Sequence, residues 1–367
     1  MVASNDSLAT AAGVAILERG GNAVDAAVAV AFALAVTHPE AGNIGGGGFM
    51  LVRQADGSSA ALDFRERAPA AATRDMFSRS GVPPSASTRG HLASGVPGTV
   101  AGLIAALERF GTVTRQDAIA PAVALARNGF IAGMPFSRTI AGQRSRIGPF
   151  AGAELFLPGG EAVRPGTLFR QADLARSLEL IARDGPAAFY TGPVADLIVA
   201  EMRRGGGLIT AQDLAAYRVT WRTPLETRYR GHTVIGMPPP SSGGIAIAEA
   251  LNILETFEKL PPFGTAKNAH LLAASLQRAF IDRNEAIGDP DVSGVPTELL
   301  TSKAYARRLA RTIDHSRATS TRIARAAMRE GNETTHISVA DRFGNVVSLT
   351  TTINDIYGSG VFVKGAG

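Results

Sequence analysis

Toward the end of the chain, apolar and polar residues alternate with a period of two. "TTHISVA" (334–340) and "VVSLTTTIN" (346–354) are rich in β-branched residues and are separated by "DRFGN" (341–345), a turn signal. The even positions Thr334, His336, Ser338, Ser348, Thr350, Thr352 and Asn354 form a polar face, and Ile337, Val339, Val347, Leu349 and Ile353 an apolar one. A hairpin symmetric about Phe343 sets Thr334 directly across from Thr352.

Elsewhere the pattern is helical. "NDSLATAAGVAILERG" opens on the capping candidates Asn5, Asp6 and Ser7, and "NAVDAAVAVAFALAV" stops before Pro39. Further helices are predicted over 98–111, 171–185, 194–204, 209–217 and in the two long segments "GIAIAEALNILETF" and "NAHLLAASLQRAFIDRNEAIGD". "FMLVRQ" and "AALDFR" flank a turn at Ala55 to Ser58 and read as a second hairpin. A β-like portion lies within "TPLETRYRGHTVIG", and the basic, polar stretch 301–333 reads as an exposed linker. Strands bracketing helices predict an α/β fold with a mixed or antiparallel sheet.

Composition narrows the chemistry. The 367 residues are 45% hydrophobic and only 6% aromatic, so the core is built from small aliphatic side chains. The net charge of +5 comes from scattered arginines with no dense basic block, which argues against nucleic-acid binding. The absence of cysteine removes disulfides, thiol nucleophiles and cysteine-based metal sites. No apolar run reaches the length of about 18 residues needed to cross a membrane, and the chain shows no export signal.

Most local motifs read as structural. "GNIGGGGFM" (42–50) lacks the GK[ST] of a phosphate loop and follows a helix where a dinucleotide site follows a strand. Close backbone packing is its simpler reading. His38, His91, His232, His270, His315 and His336 form no HxH or HxxxH pair, so no histidine metal site is expected, and the carboxylate-rich 282–291 lacks the ligand spacing of an EF-hand and reads as a turn after a helix. The threonines at 334 are different. A threonine hydroxyl is a poor nucleophile without a base beside it. At a new chain terminus, however, the freed α-amine, with an ordinary pKa near about 8, supplies that base.

"MVASNDSLATAAGVAILERGGNAVDAAVAVAFALAVTHPEAGNIGGGGFML", "DFRERAP", "GVPGTVAG", "GLITAQDLAAY", "MPPPSSGGI" and "TTHISVADRFGNVVSLTTTIN" resemble, in this order, the γ-glutamyltransferase (glutathione hydrolase) family. The resemblance implies an N-terminal-nucleophile hydrolase, a four-layer αββα sandwich, here incomplete. It implies a precursor that cuts itself between Glu333 and Thr334. Residues 1–333 would be the large-subunit portion and 334–367 the start of the small subunit. Thr334 would be the nucleophile and Thr352 the residue that orients it. Asn354 would contact the substrate's α-amino end, and Arg65 would bind its α-carboxylate, a task that suits a guanidinium fork. No cofactor or metal is implied. The partners are a γ-glutamyl substrate such as glutathione and an amino acid, peptide or water acceptor, with a periplasmic or extracellular setting. Against that family the chain is expected to be a fragment truncated at both ends. It would lack the acidic residues that hold the substrate amine, a serine pair, and the glycine pair that forms the oxyanion hole. Two other readings stay open: a related acylase acting on cephalosporin side chains or poly-γ-glutamate, and an unprocessed homologue that only binds γ-glutamyl ligands.

Overall fold

The computed structural model describes residues 1–318 and 334–367. They fall into two compact units, one of residues 1–58, 62–221 and 334–367, and one of residues 59–61 and 222–318.

In the first unit, α1 (Ser7–Glu18) and α2 (Ala23–Thr37) match the first two predicted helices. The Asp6 carboxylate caps α1 by accepting from the Ala9 amide. Asn22 and Asp25 cap α2 reciprocally, each side chain accepting from the other's backbone amide. Every residue of α2 is buried. A helix that is apolar all round must be enclosed, and its small side chains let α1, α3 (Thr99–Phe110) and α4 (Arg115–Asn128) pack against it. Asp25 is its one charged residue. The Thr112 amide and hydroxyl donate to it, so the buried carboxylate is fully partnered.

Strands β1 (Val2–Ala3), β2 (Gly47–Arg53), β3 (Ser59–Asp63), β4 (Thr220–Arg222), β5 (Thr334–Ala340) and β6 (Val346–Thr352) form a six-stranded sheet in the order β1-β5-β6-β2-β3-β4. The β1–β5, β5–β6 and β6–β2 pairs are antiparallel. Helix α2 lies against β5 and β6, and α3 against β2. Ile337, Val339, Val347 and Leu349 are buried, as the alternation predicts. The β5–β6 turn is pinned by Asp341, which accepts from the Phe343 and Asn345 amides, the Asn345 side chain, and the Ala23 amide at the head of α2. Burial would raise the Asp341 pKa, but these hydrogen bonds outweigh it and hold the carboxyl below its ordinary value. The unit also contains α5 (Ala172–Asp184) and α6 (Pro193–Gly205), each ending at a glycine with positive φ.

In the second unit, Leu225–Tyr229 pairs with His232–Gly236, and α7 (Gly243–Glu255) packs against α8 (Ala266–Ala286) and α9 (Lys303–Ala310). Helix α9 corrects the reading of 301–333 as an exposed linker. Its arginines hid an amphipathic period: Arg307, Arg308 and Arg311 lie outward, while Ala306 and Ile313 are buried with Ile253 and Leu271. Residues 319–333 of that stretch lie outside the described residues.

The second unit buries a carboxyl pair. Glu249 on α7 is wholly buried beside Asp282 on α8, which also accepts the Tyr305 hydroxyl at 2.5 Å. Burial, reinforced by the Asp282 charge, pushes the Glu249 carboxyl up to about 8. The folded protein therefore keeps a proton that the unfolded chain releases in the ordinary glutamate range. This stability is complete below that range and is lost as the pH rises toward the raised value. Urea midpoints of the wild type should accordingly fall between about pH 5 and about pH 8. Glu249→Gln should flatten that slope and stabilise the protein at the upper pH, on the order of 1–3 kcal/mol.

Candidate active site

The site is built on the β5–β6 pair. Register places Thr334 opposite Thr352 and Thr335 opposite Thr351, the pairing expected from the turn. Successive side chains on a strand face opposite ways, so Thr335, which is 0% exposed, enters the core and Thr334 faces out. The Thr334 and Thr352 hydroxyls stand 3.5 Å apart, longer than a strong O–H···O bond. The Thr352 Oγ1 accepts from the Asn354 amide at 2.9 Å. Two residues along the same face, the His336 ring is held between the Thr350 and Ser348 hydroxyls at 2.8 and 3.2 Å. Glu333 lies outside the described residues.

The glycine run supports this strand end through its backbone. A Cβ at Gly46 would meet the Thr352 carbonyl at 2.3 Å, and one at Gly48 the Thr350 carbonyl at 2.1 Å. The run is thus a close-packing device, as its composition indicated. Buried Asn43 holds it in place. Its Oδ1 accepts from the Gly46 amide and the Thr99 hydroxyl, and its Nδ2 donates to the Ala41 carbonyl and Thr351 Oγ1. The Gly98 and Thr99 amides at the head of α3 donate in turn to the Gly46 carbonyl. One side chain therefore joins the glycine run, α3 and β6.

Arg65 and Asn354 line one cavity of about 440 Å³, together with Asn43, Glu66, Ser94 and Ser359. Thr334 and Thr352 are not among its lining residues, and the Asn354 amide links the two parts of the site. Arg65 follows β3 and is 40% exposed at its side chain, with its guanidinium 3.3 Å from Glu66 and over the Phe49 ring. Its backbone is held on both sides: its amide donates to Asp63, and its carbonyl accepts from the Tyr217 hydroxyl at 2.9 Å. Tyr217 stacks on Tyr190, whose hydroxyl donates to the Pro97 carbonyl. Burial pushes the Glu66 carboxyl up, against the pull of the Arg65 guanidinium.

Asn43, Glu66 and Tyr217 escaped the sequence reading. Asn43 sits inside the glycine run, where only its polarity among glycines marks it, and Tyr217 ends a helix far from its partner in sequence.

With this geometry in place, the fold class is that of the N-terminal-nucleophile hydrolases, with α2 and α3 packed on the six-stranded sheet that carries Thr334. Residues 9–367 match the family model described as Gamma-glutamyltranspeptidase, and the chain belongs to that family. It is 49% identical to the glutathione hydrolase proenzyme of Escherichia coli (strain K12), with all of the chain aligned to 65% of that relative's length. Among solved structures, it superposes on the gamma-glutamyltranspeptidase of Helicobacter pylori with a TM-score of 0.84 at 44% identity, covering 86% of this chain and 92% of that one. The cephalosporin acylase of Bacillus halodurans matches with a TM-score of 0.89 at 30% identity, covering 100% of this chain and 68% of that one.

Asn43→Ala would leave the Thr99 hydroxyl and the Gly46 amide without their buried acceptor. A loss of about 1–3 kcal/mol is expected. It would be read as a lower denaturant midpoint with an unchanged m-value.

Proposed function

We propose that the complete protein transfers or hydrolyses the γ-glutamyl group of glutathione and related amides. Cleavage between Glu333 and Thr334 would leave residues 1–333 and the segment starting at 334 as two chains from one precursor. Membership of the gamma-glutamyltranspeptidase family, together with Thr334 at the head of a strand opposite Thr352, carries the reading. Arg65 and Asn354 on one cavity support it.

In this mechanism the Thr334 hydroxyl attacks the γ-carbonyl while its own α-amine takes the proton. Collapse of the tetrahedral intermediate breaks the amide C–N bond, and the α-ammonium returns the proton to the leaving amine. The result is a γ-glutamyl ester on Thr334. Water or the amine of an amino acid then attacks that ester and regenerates the hydroxyl, giving hydrolysis or transfer. Thr352 orients the nucleophile. The Arg65 guanidinium pairs with the substrate α-carboxylate, and Asn354 faces its α-amino end. The Arg65 assignment favours donors with a free α-carboxylate over the acylase reading, which draws its support from the likeness to the Bacillus halodurans enzyme.

Intact mass of the full-length protein should show two chains, one beginning at Thr334. Thr334→Ala should remain a single chain and lose γ-glutamyl anilide turnover on the order of 10⁴–10⁶-fold. In the processed enzyme, kcat/KM should rise with pH as the terminal amine, ordinarily near about 8, loses its proton. An uncut wild type, or a Thr334→Ala that still cleaves, would refute self-processing. A processed enzyme that ignores γ-glutamyl anilides but cleaves other amides would favour the acylase.

A further inference from the structure

The loop that follows β6, "INDIYGSG" (353–360), is held in an unfavourable shape. Asn354 has φ +74° and Tyr357 φ +60°, both in the left-handed region that costs a side-chain-bearing residue free energy. Such a loop keeps its shape only if its surroundings over-determine it. Its near end is fastened at Thr352 Oγ1 by the Asn354 amide, and its middle by the Tyr357 amide donating to the Glu40 carbonyl. The far end is fastened by Arg146, from the short helix Arg144–Ile147.

The Arg146 guanidinium is the only charged group paired with Asp355 among the described residues. One Nη donates to the Gly358 carbonyl and, at 3.0 Å, to the Thr88 carbonyl, and the other to Asp355 Oδ2 at 3.1 Å. The planar fork thus spans both limbs of the loop and ties them to the chain at Thr88. The seat is tight, since a Cβ at Gly360 would meet the Arg146 carbonyl at 2.5 Å. With its side chain only 20% exposed, Arg146 forms its pair with Asp355 where solvent screening is reduced.

We infer that Arg146 is a positioning residue that sets the selectivity for donors bearing an α-amino group, by clamping through Asp355 and Gly358 the loop on which Asn354 stands. The inference rests on the role given to Asn354 in the proposed function. Arg146 touches no substrate; it fixes where the Asn354 side chain meets one. Releasing the clamp lets the loop relax from its left-handed conformation and withdraws that contact. The attacking hydroxyl, on the neighbouring strand, stays in place.

The test compares two donors in the full-length, processed protein: γ-glutamyl-p-nitroanilide, and glutaryl-p-nitroanilide, which lacks the α-amino group. Arg146→Gln and Asp355→Asn should each lower kcat/KM for the γ-glutamyl donor roughly ten- to a hundredfold, mainly through KM, and leave the glutaryl donor far less affected. The double variant should lose no more than the worse single one, because both remove one clamp. If Arg146→Gln fails to fold, Asp355→Asn, which keeps the guanidinium's bonds to both carbonyls, carries the test. Equal losses on both donors, or additive losses in the double variant, would overturn the inference while leaving the proposed function intact. An Asn354→Ala enzyme that loses equally on both donors would instead overturn the Asn354 assignment, and the inference with it.

Discussion

The site depends on the burial of Thr335. Its side chain lies in the core on the same sheet face as Ile337 and Val339, and the pleat allows its neighbour only one direction. Thr334 therefore faces away from the core. A slip of one residue in the β5 register would bury the hydroxyl of Thr334 and drive Thr335, Ile337 and Val339 outward, so the apolar alternation guards the position of a polar residue. The Asp341 carboxylate reinforces this register. It closes the turn and reaches the first amide of α2, so the hairpin and the buried helix are fixed to one another.

The rest of the site is assembled from segments distant in sequence, and each junction is made by one polar side chain. Asn43 joins the glycine run to α3 and β6. Tyr217 holds the Arg65 carbonyl. Arg146 gathers the loop after β6. Polar groups largely shielded from water in this way specify geometry because their partners must be found together or not at all. The glycines have the complementary role. At Gly46 and Gly48 the absence of a Cβ lets the backbone approach β6 to distances no side chain would permit.

Much of this was legible in the sequence where the signal is local. The cap of α1, the apolar character of α2, and the cross-strand partner of Thr334 all follow from signals within one short segment. Arg65 and Asn354 were named from motifs, and the fold brings them to one cavity. What stayed hidden is long-range or masked. Nothing in the local sequence marks Arg146 or Tyr217, because their partners lie far along the chain. The run of arginines disguised α9, and an internal proline, Pro121, interrupts the helical signal of α4.

The central claim is that the Thr334 hydroxyl, with the freed α-amine as its base, is the group that attacks. Treating the full-length, matured protein with a diazoketone analogue of glutamine and mapping the adduct by peptide mass spectrometry tests it most directly. The account predicts one stoichiometric adduct on the Thr334 side chain, on a peptide whose N-terminus is Thr334 itself. An adduct on any other residue, or a labelled enzyme in which Thr334 is still joined to Glu333, would contradict it.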